Sequence, residues 1–315
     1  MDGHAARVGI IGSGAMGTLF GFHLAANCEV TMLDSNRAVL EEIDRQGGLS
    51  VNEAPPRPVK LGYSARDLFG STVVFLFVKA VDTLRALRPF AGELNPSTPI
   101  VSLQNGVGNE DAIKTALGGA VPVVLGITTE SSLTVSAGRA RSSEEGNTIV
   151  GTGGASPATA RSVVTLLTRS GMRAAVVYDI RPHLWGKLVA NAAINAISAL
   201  LDCEVGMIPR DPNAARLSEA LAEEAAAVAA GQNINLPFAN PWQYVTEVIA
   251  VGADSKSSMA FDLELRHPSE IDHINGAVCA SGRRTGIPTP YNDAMVRLIK
   301  AKEQLIAQGE RAPAT

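Results

Sequence analysis

Two groups of residues in this sequence have types and spacings suited to chemistry. The first is Gly12-Ser13-Gly14-Ala15-Met16-Gly17, a G-x-G-x-x-G hexapeptide in a chain with 30 glycines. The motif alone is a weak signal, but here it follows an apolar stretch at 7–11, opens a helical stretch, and precedes a second strand that runs into Asp34. That is the setting in which such a loop cradles a dinucleotide pyrophosphate. Gly12 permits the tight turn, Gly14 lets the phosphates approach the backbone, and Gly17 lets helix and strand pack closely. The N–H groups of the helix start, with Ser13, Ala15 and Met16 around them, face the anion. The second group is Lys187, Asn191 and Asn195, at i, i+4 and i+8 on an otherwise apolar helix. They form one polar stripe, which on a buried helix must find partners or line a cleft.

Asp34 ends the second strand, where an adenosine ribose lies in such folds. A carboxylate there accepts ribose hydroxyls and repels a 2′-phosphate, which favours NAD over NADP. Asn36 and Arg37 follow at once and are able to bind that phosphate, and Asp34 as a simple helix N-cap is the structural alternative.

These residues need a scaffold, and the pattern supplies one. β-Branched runs at 7–11, 29–33, 72–78, 99–103 and 122–128 alternate with helical stretches at 16–27, 37–46 and 81–90. This spacing predicts βαβ units, a parallel sheet and a Rossmann-like α/β domain. Residues 133–151 read as hairpin material extending the sheet, followed by a helix at 158–170 and a strand at 174–178. Beyond Asp179 the pattern is helical throughout: 183–202, 212–232, 241–252, 269–286 and 290–308, with Pro212, Pro241 and Pro290 at first-turn positions. The predicted division is 1–178 for a dinucleotide-binding domain and 179–315 for an all-helical one, with 311–315 a tail.

Composition narrows the partners. The 315 residues are 46% hydrophobic and 18% charged, and 27 Lys+Arg against 31 Asp+Glu give a net charge of −4. That balance carries no nucleic-acid footprint, and no polybasic run or apolar stretch of membrane-spanning length points to a bilayer. Cys28, Cys203 and Cys279 are an odd, scattered set that fits a reducing cytoplasm rather than a disulfide framework. The five histidines, His4, His23, His183, His267 and His273, lack metal-ligand spacing, so no metal is expected. The expected partner is a small molecule.

Taken in order, several further motifs carry a resemblance that spans nearly the whole chain. They are Val78-Lys79-Ala80, Gln104-Asn105-Gly106-Val107-Gly108, Trp185-Gly186-Lys187-Leu188 with Asn191 and Asn195, Ser257-Ser258-Met259 with Asp262, and Glu270-Ile271-Asp272 with Asn275-Gly276. With the Gly12–Gly17 loop, they make the chain resemble the ketopantoate reductase family of 2-oxo acid reductases. The resemblance implies an NAD(P)H-dependent reduction of ketopantoate to D-pantoate, in the pantothenate route, in a cleft between a Rossmann domain and a helical domain. It implies Lys187 as the general acid, Glu270 as a carboxylate that binds the substrate hydroxyl, the cofactor and the lysine, and Asn105 beside the nicotinamide and the reacting carbonyl. Asn191, Asn195 and Ser258 match substrate contacts, Lys79 a cofactor-side lysine, and Gln104 a supporting position. Two departures stand out: Asp34 replaces the arginine that grips a 2′-phosphate, and Val205 stands where a substrate-facing asparagine is usual. They favour NAD and admit a second reading, an NAD-dependent D-2-hydroxy acid dehydrogenase acting on a bulkier, mandelate-like substrate. A silent dinucleotide sensor ranks last, because Lys187 and Glu270 are both kept. The helical domain is able to support a homodimer.

Overall fold

The computed structural model describes residues 5–119 and 121–309, so His4 and the tail at 311–315 lie outside the described residues. The chain divides into two compact units. The first runs to Gln104 and resumes over Asn109–Ile180; the second takes Asn105–Gly108 and then Arg181 onward. The first unit thus ends at Ile180 rather than 178, and it gives up one short loop that a single cut in the sequence would leave with it.

The first unit contains β1 (Arg7–Ile11), α1 (Ala15–Leu24), β2 (Glu29–Leu33), α2 (Arg37–Arg45), β3 (Ser50–Val51), β4 (Lys60–Gly62), β5 (Val73–Leu76), α3 (Thr83–Leu87), β6 (Ile100–Ser102), α4 (Asn109–Leu117), β7 (Val123–Thr128), β8 (Ser132–Ser136), β9 (Arg139–Ser142), β10 (Thr148–Gly151), α5 (Pro157–Arg169) and β11 (Ala174–Val176). Eight strands form one sheet in the order β11-β10-β7-β6-β5-β1-β2-β4. All neighbours are parallel except β10 against β7. The order reverses between β1 and β5, which creates the switch point where ligands bind in open α/β sheets. All four residues of β5 are buried, as a central parallel strand covered on both faces requires.

Two expectations are corrected here. The hairpin β8–β9 does not extend the main sheet; it joins β3 in a separate three-stranded sheet, and only β10 adds to the large one. The small sheet packs against α1, which also packs on β1 and β2. A helix enclosed in this way must be largely apolar, and α1 buries every residue from Gly17 to Phe22, and Leu24 beyond. Gly21 permits the approach: a Cβ there would lie 2.6 Å from Leu49 on one side and 3.0 Å from Met32 on the other. The predicted helix at 81–90 is instead α3 flanked by 3₁₀ turns at Ala80–Asp82 and Arg88–Phe90, because Pro89 removes a backbone donor and ends the α-helix.

In the second unit, α6 (Arg181–Leu201) is surrounded by α7 (Pro212–Gly231), α8 (Pro241–Val251), α9 (Ser258–Glu264) and α11 (Pro290–Gly309), with α10 (Asn275–Thr285) against α7 and α11. α6 is long and apolar enough to cross a membrane, but most of its apolar residues are buried in this unit. Small side chains on both helices, Ala192, Ala193 and Ala196 on α6 and Ala222, Ala225 and Ala229 on α7, are all fully or almost fully buried. Ser218 on α7 donates to the Ala193 carbonyl across this contact at 2.9 Å. Pro212 and Pro241 occupy first turns, behind Asp211 and Asn240 caps that accept backbone N–H groups. The predicted helix at 269–286 begins only at Asn275, so Glu270 stands in the turn before it; α9 was not anticipated as a separate helix.

Candidate active site

The first unit carries the glycine loop. Gly12 has φ +101°, its N–H donates to the Leu33 carbonyl at 2.8 Å, and a Cβ on it would lie 2.8–2.9 Å from the backbone of Phe77 and Val78. A Cβ on Gly17 would fall 1.9 Å from the Gly12 carbonyl oxygen, so helix and loop close on each other only with glycine. Gly14, the N-cap of α1, has open space where its Cβ would be. Two glycines therefore serve packing and one serves access. Ala15 and Met16 begin α1, which has no acidic residue in its first turn to compete with an anion.

A pocket of about 430 Å³ opens at the C-terminal ends of β1, β2 and β5, lined among others by Gly12, Gly14, Asp34, Tyr63, Val78 and Lys79. Its size is that of a small-molecule cleft. The Asp34 carboxylate is held on three sides. Its Oδ2 accepts from the Ser13 N–H at 2.8 Å and the Ser13 hydroxyl at 2.6 Å, and its Oδ1 accepts from the Asn36 N–H at 2.9 Å. Asp34 is not the cap of α2; Asn36 is, accepting from the Ala38 N–H. Arg37 lies over the Tyr63 ring at 5.7 Å. Gln104 is a fastening rather than a ligand contact: buried, it donates to the Val78 carbonyl at 2.8 Å and the Thr83 hydroxyl at 2.9 Å, and accepts from Ser102 at 2.8 Å.

The second unit brings Lys187, Glu270 and Asn105 together. Lys187 is half-buried on α6. Burial lowers its ammonium pKa more than the nearby Glu270 carboxylate raises it, and the balance leaves it at about 8. Asn105 donates through Nδ2 to Glu270 Oε2 at 3.0 Å. The loop that delivers Asn105 lies hard against the turn that delivers Glu270: a Cβ on Gly106, at φ +85°, would be 2.2 Å from the His273 carbonyl. Ile271 and Ile274 anchor that turn in the core, and Ser269 Oγ accepts from the Ile271 N–H at 3.3 Å. Glu270 is left half-buried beside them.

On the same helix, Asn191 is half-buried and Asn195 buried. Ser258 is exposed at the start of α9. Its neighbour Ser257 is buried; it donates to the Asn195 carbonyl at 3.0 Å and caps α9 by accepting from Ala260. Val205 is buried among the apolar side chains of this unit, with its N–H on the Ser255 carbonyl. A polar network behind α6 has no signature in the sequence pattern. Asn275, fully buried, donates to the Ala192 carbonyl and to Asn292 Oδ1, both at 3.0 Å, and Asn292 donates to Glu224 at 2.8 Å. Asn275 belongs to a recognised motif, but Asn292 and Glu224 carried no signal, because their spacing on α11 and α7 reveals nothing of each other.

Comparison with known proteins follows the same division. The family model described as "Ketopantoate reductase PanE/ApbA" matches residues 8–154, and "Ketopantoate reductase PanE/ApbA C terminal" matches residues 179–303. The chain is 34% identical over 302 residues to the 2-dehydropantoate 2-reductase of Pyrobaculum aerophilum, covering 95% of this chain and 99% of that protein. It is 31% identical over 298 residues to that of Archaeoglobus fulgidus, covering 94% and 98%. Among solved structures it is similar to a PanE/ApbA family ketopantoate reductase from Ralstonia eutropha, with TM-score 0.87, 26% identity and coverage of 96% and 99%. It is also similar to D-mandelate dehydrogenase solved with NADH and anilino(oxo)acetate, with TM-score 0.84, 25% identity and coverage of 96% and 99%.

Proposed function

Because this chain belongs to the ketopantoate reductase family, we propose that it is a 2-dehydropantoate 2-reductase that uses NADH, with Lys187 as general acid. The observation that carries the reading is Lys187 with its pKa near 8, beside a Glu270 that Asn105 holds. A general acid works best when its pKa lies near the working pH, because it is then both protonated and willing to release the proton. The glycine loop and the start of α1 suit a pyrophosphate, and Asp34 suits a ribose with free hydroxyls. The dinucleotide, when bound, supplies the hydride for C2 of the keto acid. The Lys187 ammonium polarises the keto oxygen and gives it a proton, so that C=O becomes CH–OH. Glu270 keeps the ammonium charged and takes the substrate hydroxyl, and Asn105 fixes the carboxylate for that task. Asn191, Asn195 and Ser258 hold the remaining polar groups of the substrate, and Lys79 attends the cofactor.

Val205 favours a second reading, a D-2-hydroxy acid dehydrogenase, because an apolar side chain stands where the family usually places an asparagine. Steady-state rates with ketopantoate, benzoylformate and 2-oxoisovalerate, each with NADH and NADPH, separate the two. The first reading expects the highest kcat/KM for ketopantoate with NADH. Preference for benzoylformate selects the second, and no turnover with any pair refutes both.

A further inference from the structure

The donors around Asp34 can be counted. A carboxylate oxygen accepts through two lone pairs. Among the described residues, Oδ2 receives two donors, the N–H and the hydroxyl of Ser13, while Oδ1 receives one, the Asn36 N–H. Oδ2 is therefore saturated, and one acceptor position remains, on Oδ1. Asp34 lines the pocket, whereas Ser13 is not part of its wall and is 4% exposed. A ribose has two adjacent hydroxyls, and a carboxylate free on both oxygens would take them as a pair. This one has been turned so that a single position is left.

We propose that Ser13 is a positioning residue whose hydroxyl fixes Asp34 as a one-point reader of the adenosine ribose, accepting the 2′-hydroxyl through Oδ1. The 3′-hydroxyl then finds no acceptor on this side chain. The inference rests on the NADH reading given above and adds to it how the ribose is recognised. The Ser13 hydroxyl matters more than its backbone N–H for this purpose. The N–H alone leaves a lone pair on Oδ2 and lets the carboxylate swing to share both hydroxyls. The arrangement also sharpens rejection of a 2′-phosphate, because the one position offered is an acceptor, held in place, facing a group that only accepts.

The test uses dissociation constants, read from reduced-nicotinamide fluorescence on the full-length protein, for NADH, NADPH and NADH analogues lacking either the 2′- or the 3′-hydroxyl of the adenosine ribose. The native protein is expected to bind the 2′-deoxy analogue roughly 10- to 100-fold more weakly than NADH, the range for a hydrogen bond to a charged group. The 3′-deoxy analogue should lose no more than about 3-fold. In Ser13→Ala that asymmetry should collapse, the two analogues losing similar factors, whereas Ser13→Thr, which keeps the hydroxyl, should retain it. Equal penalties in the native protein, or an unchanged asymmetry in Ser13→Ala, would overturn the proposal while leaving the NADH reading intact. Binding of NADPH as tight as that of NADH would instead overturn the reading on which it rests, and the proposal with it.

Discussion

Glu270→Gln tests the electrostatic core of the proposed mechanism, because it removes a charge and keeps the shape. The variant keeps an oxygen to accept from Asn105 Nδ2, so the 3.0 Å contact has a like-for-like replacement. What is lost is the attraction that raises the Lys187 pKa against the larger effect of burial. An opposite charge at close range shifts a pKa by about 1–3 units. From a starting value of about 8, the smallest such shift takes Lys187 to about 7. The fraction of protonated lysine then changes in a way that depends on pH. At pH 6 both proteins hold about nine-tenths or more of it as ammonium; at pH 8 the native protein holds about half and the variant about one-tenth. Loss of the general acid thus adds a penalty that is negligible at pH 6 and about fivefold at pH 8. Any loss equal at all pH values reports the contact of Glu270 with substrate. The assay is kcat/KM for keto-acid reduction across pH 5.5 to about 9.5, since that ratio follows the ionisations of the free enzyme. A basic limb that stays near pH 8 in Glu270→Gln, or moves upward, would refute the reasoning.

Four further outcomes are expected. Lys187→Ala should lower kcat by about 10²–10⁴-fold with little change in NADH affinity, and near-normal turnover would remove Lys187 from its role. Lys187→Met should raise the melting temperature at neutral pH. The folded-state pKa of about 8 lies below the ordinary lysine value of 10.5, so at any pH between them the unfolded chain binds more protons and native stability rises with pH. The penalty relieved by the substitution is on the order of 3 kcal/mol at pH 7 and fades as pH climbs from about 8 to about 10.5, so a gap in melting temperature that widened over that window would contradict the assignment. Asp34→Arg should move the ratio of NADPH to NADH affinity towards NADPH, and an unchanged ratio would mean that Asp34 does not face the ribose. Gly17→Ala places a Cβ 1.9 Å from the Gly12 carbonyl oxygen, which should cost about 1–3 kcal/mol in stability and weaken NADH binding, checked by thermal melting and fluorescence titration.

The sheet was legible because its strands are short, apolar on both faces and regularly spaced, and the glycine loop because each glycine answers a separate steric demand. Strands β3 and β4 were not legible: with two and three residues they carry too little pattern to register. The destination of the hairpin at Ser132–Ser142 was equally hidden, since alternation marks a strand without naming the neighbour it pairs with. Within the candidate site, the i, i+4, i+8 spacing placed Lys187, Asn191 and Asn195 on one helix. The bond between Asn105 and Glu270, 165 residues apart, could not be derived from spacing. The restraint of Asp34 by Ser13 is hidden for another reason: Ser13 sits within a phosphate-loop motif, and its hydroxyl bonds outside that motif, 21 residues along the chain.

The short loop Asn105–Gly108, which belongs to the second unit, bears on how this protein could be cut or recombined. The chain passes between units after Gln104, after Gly108 and after Ile180. A fragment beginning at Arg181 would carry Lys187 and Glu270 but not the amide that holds the glutamate, and Gly106 would be missing from its seat against His273. Swapping the helical half onto a different nucleotide-binding half would therefore exchange a lysine and a carboxylate while inheriting a foreign loop. Such chimaeras should work only when four residues from the middle of the donor's first half travel with its second. That loop and the helical half are, in this sense, a single heritable part.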